Sequence, residues 1–573
     1  MEQNQFAAMF MAQRGYTTEE SRRAFLEFSP DRLRKAGEMT GGSALLERLA
    51  VAVGKQEYVT VYGDYDADGV MASCIFYMGL VKLLPGKVSC YINNRFDEGY
   101  NITGESIEHL LERFPQTNII LTCDNGISAG EAMLSCREKN IDFLVTDHHE
   151  QLNPLPEGCI AVDEKSDAQK EADKADKVTG ENFCGAELAR RVVTELYEKL
   201  GKAEEERQFL DGLYAFSGLA TITDVVPMNA ANHYVARRGI EIIRRDEGVW
   251  GLLNRQWNRS GKNIREETIG FCYGPMINAC GRVEGSASRA LRAFAYYFHG
   301  NEQMCAKEFE ELFKINLVRR EMCSEDEQLA LKIVAEKGME KDPFLLVAHD
   351  DFREGINGLT AAGLTVRYGV PSAVLSPVKN DPERLKGSAR APETFNLIDI
   401  LKAHQDLIRA GGHAQAAGIS IRREDLEKVR AILNEEAPKA VPREVKEREP
   451  DLVMETGSLT IRKVEELAQA MEMLMPFGPG FEAPRIAFTG RAESLRTDRT
   501  SGTHAFLTMK GRSADARPVE VVWWKHYNDA WEIVRGQDKE IICIGTPVID
   551  NYLGTEKIRI TASQIGAADA GEA

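Results

Sequence analysis

The stretch "FLVTDHHE", Phe143 to Glu150, decides how the chain is read. An apolar, strand-like run stops at an aspartate and two adjacent histidines, in a chain that has only 10 histidines. A buried strand ending abruptly on ionisable residues marks the carboxyl edge of a parallel sheet, where such sheets bind ligands. The same rhythm recurs upstream. "YVTVYG" (Tyr58 to Gly63) is a strand, "GVMASCIFYMGLVKLL" an apolar-faced helix, "KVSCYIN" a second strand and "GESIEHLLERF" a helix with Thr103 as N-cap. "TNIILTC" is a third strand, "SAGEAMLSCREK" a helix capped by Ser128, and "IDFLVT" the fourth strand. Strands alternating with helices specify a parallel sheet with crossover connections.

Three of these strands end in acids. "GDYDADG" follows the first, with Asp64, Asp66 and Asp68; "CDNG" follows the third, with Asp124; "TDHHE" follows the fourth, with Asp147, His148 and His149. Taken singly, each acid is as readily a turn residue or helix cap, and Asp64 and Asp147 suit that role. Together they bring carboxylates and imidazoles to one edge, where like charge and desolvation would both disfavour ionisation. Divalent cations relieve both. A set rich in Asp with some His suits Mn²⁺ or Mg²⁺ better than a structural zinc. One aspartate between two ions would give a two-metal phosphoester hydrolase.

The remaining bounds fit that chemistry. A chain of 573 residues exceeds one core and implies several domains. Its 71 Lys and Arg against 89 Asp and Glu give −18, which argues against non-specific polyanion binding by the whole molecule while leaving room for a local basic groove. No run is long and apolar enough to span a bilayer, and the start lacks a secretory pattern. The 11 dispersed cysteines read as reduced thiols, so the expected location is cytoplasmic, with no membrane partner.

The expected organisation is a helical lead-in over 1–50, a catalytic domain over 51–235, a helical connector over 236–340, a smaller α/β domain over 341–440, a barrel over 451–565 and an acidic tail over 566–573. Residues 441–450 read as a charged linker. Within the connector, "EQMCAKEFEELFKINLVRREMCSEDEQLALKIVAEK" has the periodicity of one long helix. The short strands after Arg485 suggest a small barrel of the OB type. Residues 485–565 hold 12 Lys and Arg against 10 Asp and Glu, and Trp523, Trp524, Tyr527 and Trp531 lie among them. Aromatic faces within a locally positive segment can stack and track a single strand, or simply fill the barrel.

These motifs resemble the DHH phosphoesterase superfamily, named for its Asp-His-His sequence. "VYGDYDADGV", "TCDNGIS" and "VTDHHE" match its first three motifs in order, and "GLATITDVVPM" (Gly218 to Met228) looks like the fourth. The resemblance implies two divalent metal ions, Mn²⁺ preferred or Mg²⁺. Their ligands would be Asp66, Asp68, Asp124, His148 and Asp224, with Asp124 bridging and His149 facing the scissile phosphate. Some members carry a histidine where this chain has Tyr62. "GGHAQAAG" (Gly411 to Gly418) resembles the signature of the DHH-associated domain.

"NNRFDEGY", "FCGAELA", "GPMINACGR", "LKGSAR" and "PFGPG" extend the likeness to the RecJ family of that superfamily. That resemblance implies 5′-to-3′ hydrolysis of single-stranded DNA to mononucleotides, in DNA repair and recombination. Arg95, Arg282 and Arg319 would lie near the terminal phosphate. Lys386, Ser388, Arg390 and His413 match motifs of the DNA-facing associated domain. The implied partner is single-stranded DNA, with a single-strand-binding protein or a helicase as secondary expectations. The implied fold is α/β multidomain: a parallel-sheet DHH catalytic domain, a helical connector, a smaller α/β DHH-associated domain and a C-terminal OB-type β-barrel.

Two other functions stay open at this level, a small-substrate DHH phosphodiesterase for short oligonucleotides or cyclic dinucleotides, and a non-catalytic single-strand-binding scaffold. The chain also departs from the family. "AVDEKSDAQKEADKADKVTGEN" (Ala161 to Asn182) replaces an expected Asn-Pro and reads as an acidic surface loop, Asn101 stands where glycine is usual, and Phe481 stands where Asn is expected.

Overall fold

The structure is a computed structural model that describes residues 4–99, 101–176, 180–245, 247–257, 264–379, 381–439, 449–454, 459–498, 502–512, 517–535, 540–550 and 556–568. Most of the expected 441–450 linker, part of the 161–182 stretch and the end of the acidic tail lie outside those residues.

Three sheets organise the chain. The first contains β1 (Val59–Gly63), β2 (Val88–Ile92), β3 (Ile119–Cys123), β4 (Asp142–Thr146) and β5 (Ile160–Val162), ordered β2-β1-β3-β4-β5 and parallel throughout. Period-two alternation divides its side chains between two covered faces, as a doubly buried sheet requires. Val59, Val61, Leu121 and Leu144 enter one core, and Tyr62, Ile120, Phe143 and Val145 enter the other. The first of these cores continues without a break through the connector to Leu312. The connector helices and the catalytic sheet therefore share one apolar interior instead of forming separate layers.

The second sheet contains β6 (Leu345–Ala348), β7 (Ser372–Val378), β8 (Asp381–Arg390), β9 (Arg409–Gly412) and β10 (Ala416–Arg422), in the order β6-β7-β8-β10-β9. The helix Glu302–Glu336 links it to the first unit. Cys305, Phe309 and Leu312 of this helix lie in the catalytic core, whereas Ala330, Ile333 and Val334 pack under the second sheet.

The third sheet contains β11 (Leu452–Val453), β12 (Ile486–Thr497), β13 (Ala505–Lys510), β14 (Val519–Trp523), β15 (Glu540–Asp550) and β16 (Lys557–Ala567). The order β12-β13-β14-β16-β15 closes through β15–β12 pairing, which makes a five-stranded barrel with β11 added beside β12. Closure removes the exposed edges that an open antiparallel sheet would present.

Three local expectations change. The lead-in over 1–50 is not one unit: Phe10, Met11 and Phe25 pack into the barrel core, whereas Leu45 and Leu49 join the catalytic core. The helix after β3 starts at Gly130 with Ala129 as cap, and Ser128 instead accepts a hydrogen bond from the Leu152 N–H at 3.1 Å. The acidic stretch is not a loop. It forms β5 and a helix, Asp167–Asp176, held by Arg34 donating to Asp173 at 2.7 Å and by Thr40 N–H donating to Gln169 at 2.7 Å. Phe481 is an interior anchor, 1% exposed, packed on Phe25 and His233.

Candidate metal centre

The registers of the first sheet place the site. Ile92, Gly63, Cys123, Thr146 and Val162 stand side by side as the last paired residues. The residues one step beyond them are Asn93, Asp64, Asp124, Asp147 and Asp163, so four neighbouring strands each deliver an aspartate to one rim.

Each acid is held by backbone N–H groups. Asp66 caps the helix Ala67–Leu83 and accepts from Gly69 N–H at 3.0 Å. Asp68, in the first turn of that helix, accepts from Gly185 and Ala186 N–H at 2.6 and 2.7 Å, at the start of the helix Gly185–Lys199. Favourable helix N-termini thus face the carboxylates. Asp124 takes a left-handed backbone, φ +62°, which turns its side chain under that same helix. A Cβ on Gly185 would lie 2.8 Å from Asp124 Cβ, so only glycine permits the approach. Asp147 accepts from Ile127 N–H at 2.9 Å and from His148 N–H at 2.8 Å, and holds His149 Nδ1 at 2.8 Å. Asp224 ends the helix Tyr214–Thr223 and comes within 3.7 Å of His148 Nε2.

The donors converge. His148 Nε2 lies 3.0 Å from Asp124 Oδ1 and 3.5 Å from Asp68 Oδ2. Asp64, Asp66 and Asp124 form one group of oxygens within 4.8 Å of one another; Asp68, His148 and Asp224 form a second; Asp124, His148 and His149 form a third. Asp124 therefore belongs to two of these groups. Burial and then mutual repulsion raise the carboxyls, Asp64 to about 8 and Asp68 to about 6, with Asp124 and Asp224 also well up. Burial pulls His148 down to about 3, which keeps its ring neutral. Burial also lowers His149, but the bond to Asp147 and the nearby carboxylates outweigh it and leave the ring raised to about 10.

This set fits divalent cations. His148 Nε2 and Asp124 Oδ1 are buried without a hydrogen bond, a costly state that a cation would relieve. Oxygen donors supplemented by imidazole match Mn²⁺ and Mg²⁺. Tyr62 takes no part: its ring is fully buried on the opposite face, 5.2 Å from Tyr91. Asp64, which suits a turn on sequence and was left out of the implied ligands, sits inside the cluster. Asp163 was missed. It is 1% exposed, accepts from Lys165 N–H at 2.6 Å and is raised to about 8 by burial and then by Asp147. The available signal was an aspartate directly after a short β-branched run.

A second cluster adjoins the first. Burial first, and then Arg95, with Arg319 and Arg390 contributing further, lower the basicity of Arg282, so four guanidiniums from different elements crowd together. Arg95 lies over the Tyr65 ring at 4.9 Å, and Tyr65 separates Asp64 from Asp66. Arg319 donates to Asn316 at 3.0 Å. Ser388 and Arg390, at the end of β8, both border Gly358 in the first turn of the helix Asn357–Tyr368. Lys386 pairs with Glu354 at 2.9 Å, and burial and then Arg390 lower His413. Packed cations of this kind suit an anion with several oxygens.

Three family models match in chain order: DHH family, N-terminal domain over 58–215, DHHA1 domain over 341–439, and RecJ OB domain over 456–564. Together these models make the chain similar to the RecJ family. Among curated RecJ proteins, each named as a single-stranded-DNA-specific exonuclease, the one from Bacillus subtilis is 30% identical over 513 residues, covering 88% of this chain and 62% of its own length. That from Haemophilus influenzae is 28% identical, covering 78% of this chain and 77% of its own. The chain thus spans under two thirds of the Bacillus relative's length. Its fold matches the crystal structure of Thermus thermophilus RecJ in complex with Mn²⁺, with a TM-score of 0.77 at 21% identity over 99% of this chain and 77% of that one. The Mg²⁺ complex of the same protein matches with a TM-score of 0.71 at 20% identity, over 99% of this chain and 76% of that one.

Proposed function

We propose that this chain is a divalent-metal-dependent exonuclease that degrades single-stranded DNA from the 5′ end to mononucleotides, in repair and recombination. The observation that carries this reading is the adjacency of the two clusters: the carboxylates and imidazoles at the sheet rim adjoin a group of four arginines. A phosphodiesterase for free small molecules has little need of a group that selects one end of a long chain. A processive end-specific nuclease needs both, because the second fixes which phosphate is scissile.

In this reading Asp66, Asp68, Asp124, His148 and Asp224 hold the ions, with Asp124 shared, and Asp64 adds a further oxygen. When bound, the ions supply Lewis-acid polarisation of the phosphate and water acidified toward neutral pH. Asp147 fixes the His149 ring through Nδ1 and keeps it protonated, so Nε2 is left to donate a proton to the departing sugar oxygen. Arg95, Arg282, Arg319 and Arg390, with Ser388, receive the terminal 5′ phosphate and set register by bidentate bonding. Lys386 and His413 line the opposing wall. The domains divide as 51–235 for catalysis, 236–340 for connection, 341–440 for terminal phosphate recognition and 451–565 for holding the trailing strand. Trp524 and Trp531 are exposed on the barrel for that purpose, whereas Trp523 belongs to its core. No disulfide joins any of the 11 cysteines, all of them among the described residues, in keeping with a reducing cytoplasm.

The test gives purified protein a 5′-phosphorylated single strand, the matching blunt duplex, a dinucleotide and pyrophosphate, each with Mn²⁺, Mg²⁺ or chelator. Mononucleotide release from the single strand, abolished by chelator and absent from the duplex, is expected. Activity on pyrophosphate or the dinucleotide alone would overturn the assignment.

A further inference from the structure

The segment that carries Arg282 has a second exposed end. Glu266–Thr268, a π-helical turn Ile269–Tyr273 and the helix Gly274–Val283 run on from one another. Two close approaches fix this segment to the metal centre. A Cβ on Gly274 would lie 2.5 Å from Thr223 Cγ2, one residue before Asp224. A Cβ on Gly281 would lie 2.9 Å from the Tyr65 carbonyl oxygen, between Asp64 and Asp66. The segment therefore spans the rim from one side of the carboxylate cluster to the other.

Its buried residues, among them Ile269, Tyr273, Ile277 and Cys280, face the core. Phe271 is exposed and Pro275, Asn278 and Arg282 are half-buried, and their spacing of four, three and four puts them on one helical face. Arg282 ends that stripe in the arginine pocket. Phe271 ends it in solvent, 78% exposed, against 44% for Trp524 and 52% for Trp531 on the barrel. Val225, which directly follows Asp224, is also 63% exposed. A bare phenyl ring beside a reaction centre forgoes burial that a core position would give it. A π-turn frequently marks a functional position.

We propose that Phe271 is a stacking platform for bases of the single strand on the downstream side of the metal centre. The inference rests on the exonuclease reading above. The occupant follows from continuity: the stripe begins at an anion pocket, crosses the reaction centre and ends on an aromatic face. A single strand offers phosphates and flat apolar surfaces in that order. The stripe is roughly 16 Å long, which accommodates several nucleotides at the roughly 3.4 Å rise of a stacked strand. Stacking ignores base identity, as an enzyme that must accept every base in turn requires. Paired bases in a duplex have no free face to offer the ring.

The test compares wild type, Phe271→Ala and Phe271→Trp with Mn²⁺ on a 5′-phosphorylated ten-nucleotide strand and a 5′-phosphorylated dinucleotide. Phe271→Ala raises KM for the longer strand by about 5- to 150-fold, far more than for the dinucleotide, and kcat changes little. Phe271→Trp restores the wild-type KM. In chelator, 2-aminopurine placed at the third nucleotide is quenched on binding wild type and not on binding Phe271→Ala. Equal losses on both substrates, no loss on either, or failure of tryptophan to restore would overturn the proposal; unchanged strand binding would assign the ring to a protein partner instead. If wild type itself leaves the longer strand intact, the exonuclease reading fails; if wild type digests it and the alanine variant binds it as tightly, only the stacking role fails.

Discussion

Asp124 concentrates the chemistry at the scale of single residues. It is buried, belongs to two donor groups and lies 3.0 Å from His148 Nε2. Asp124→Asn keeps the shape and removes the charge, so it is expected to lower kcat by at least about a hundredfold. It also abolishes the rise in melting temperature that Mn²⁺ gives wild type, a readout independent of turnover. The raised carboxyls set a pH dependence. Asp68 is held up to about 6 and Asp64 to about 8, above an ordinary aspartate, so the metal-free fold binds protons that the unfolded chain has already lost. Their contribution to stability is therefore fully present below the ordinary aspartate range and is lost as pH rises from there, up to about 6 for Asp68 and about 8 for Asp64. A cation must displace the same protons. Calorimetry is expected to show Mn²⁺ affinity rising across that window with proton release, and a pH-independent affinity would contradict the coupling.

At the scale of elements, the approach of the helix Gly185–Lys199 to Asp124 is the tightest constraint. Gly185→Ala is expected to displace Asp124 and weaken Mn²⁺ binding by roughly 10- to 100-fold, measurable by titration, while leaving far-ultraviolet circular dichroism unchanged. This scale also shows what the sequence makes legible. β1, β3 and β4 are apolar, β-branched runs bounded by polar turns, and both the strands and the acids beyond them follow from local pattern alone. Tyr62 could have been assigned to the far face by counting two residues from Thr60. The helix Asp167–Asp176 was illegible because its stability comes from Arg34 and Thr40, more than a hundred residues away, and not from an apolar stripe. Ser128 misled for a related reason: its hydroxyl serves the loop after His149 and not the helix it precedes. The metal cluster was largely readable because a parallel sheet aligns strand ends. The arginine cluster has no such local rule, since it needs residues from three successive domains, and only the family resemblance pointed to it.

At the scale of the molecule, charge sets substrate capture. A chain of net charge −18 binds a polyanion through local pockets, so affinity for single-stranded DNA is expected to fall steeply with salt. Arg390→Gln is expected to lower the slope of log K against log salt by about 0.7, a change visible by fluorescence anisotropy; an unchanged slope would remove Arg390 from phosphate contact. The barrel is not a detachable appendage. Phe10, Met11 and Phe25 from the beginning of the chain sit in its core, Arg265 donates to the Ile549 carbonyl at 2.6 Å, and Phe477 N–H donates to Glu266 at 3.2 Å. No local pattern announces a contact across so many residues. Truncating the barrel would therefore strip support from the π-turn beside Asp224 as well, which makes point substitutions at Trp524 and Trp531 the cleaner probe of the barrel.

The helix Glu302–Glu336 is rooted in the catalytic core at one end and under the second sheet at the other, with Arg319 on the span between. It acts as a strut between the two units, so in the exonuclease reading the gap between them behaves like a gauge cut to size and not like a jaw that closes. Replacing Arg320 and Glu321 by glycine would turn the strut into a joint, and discrimination against double helices would erode before the chemistry did.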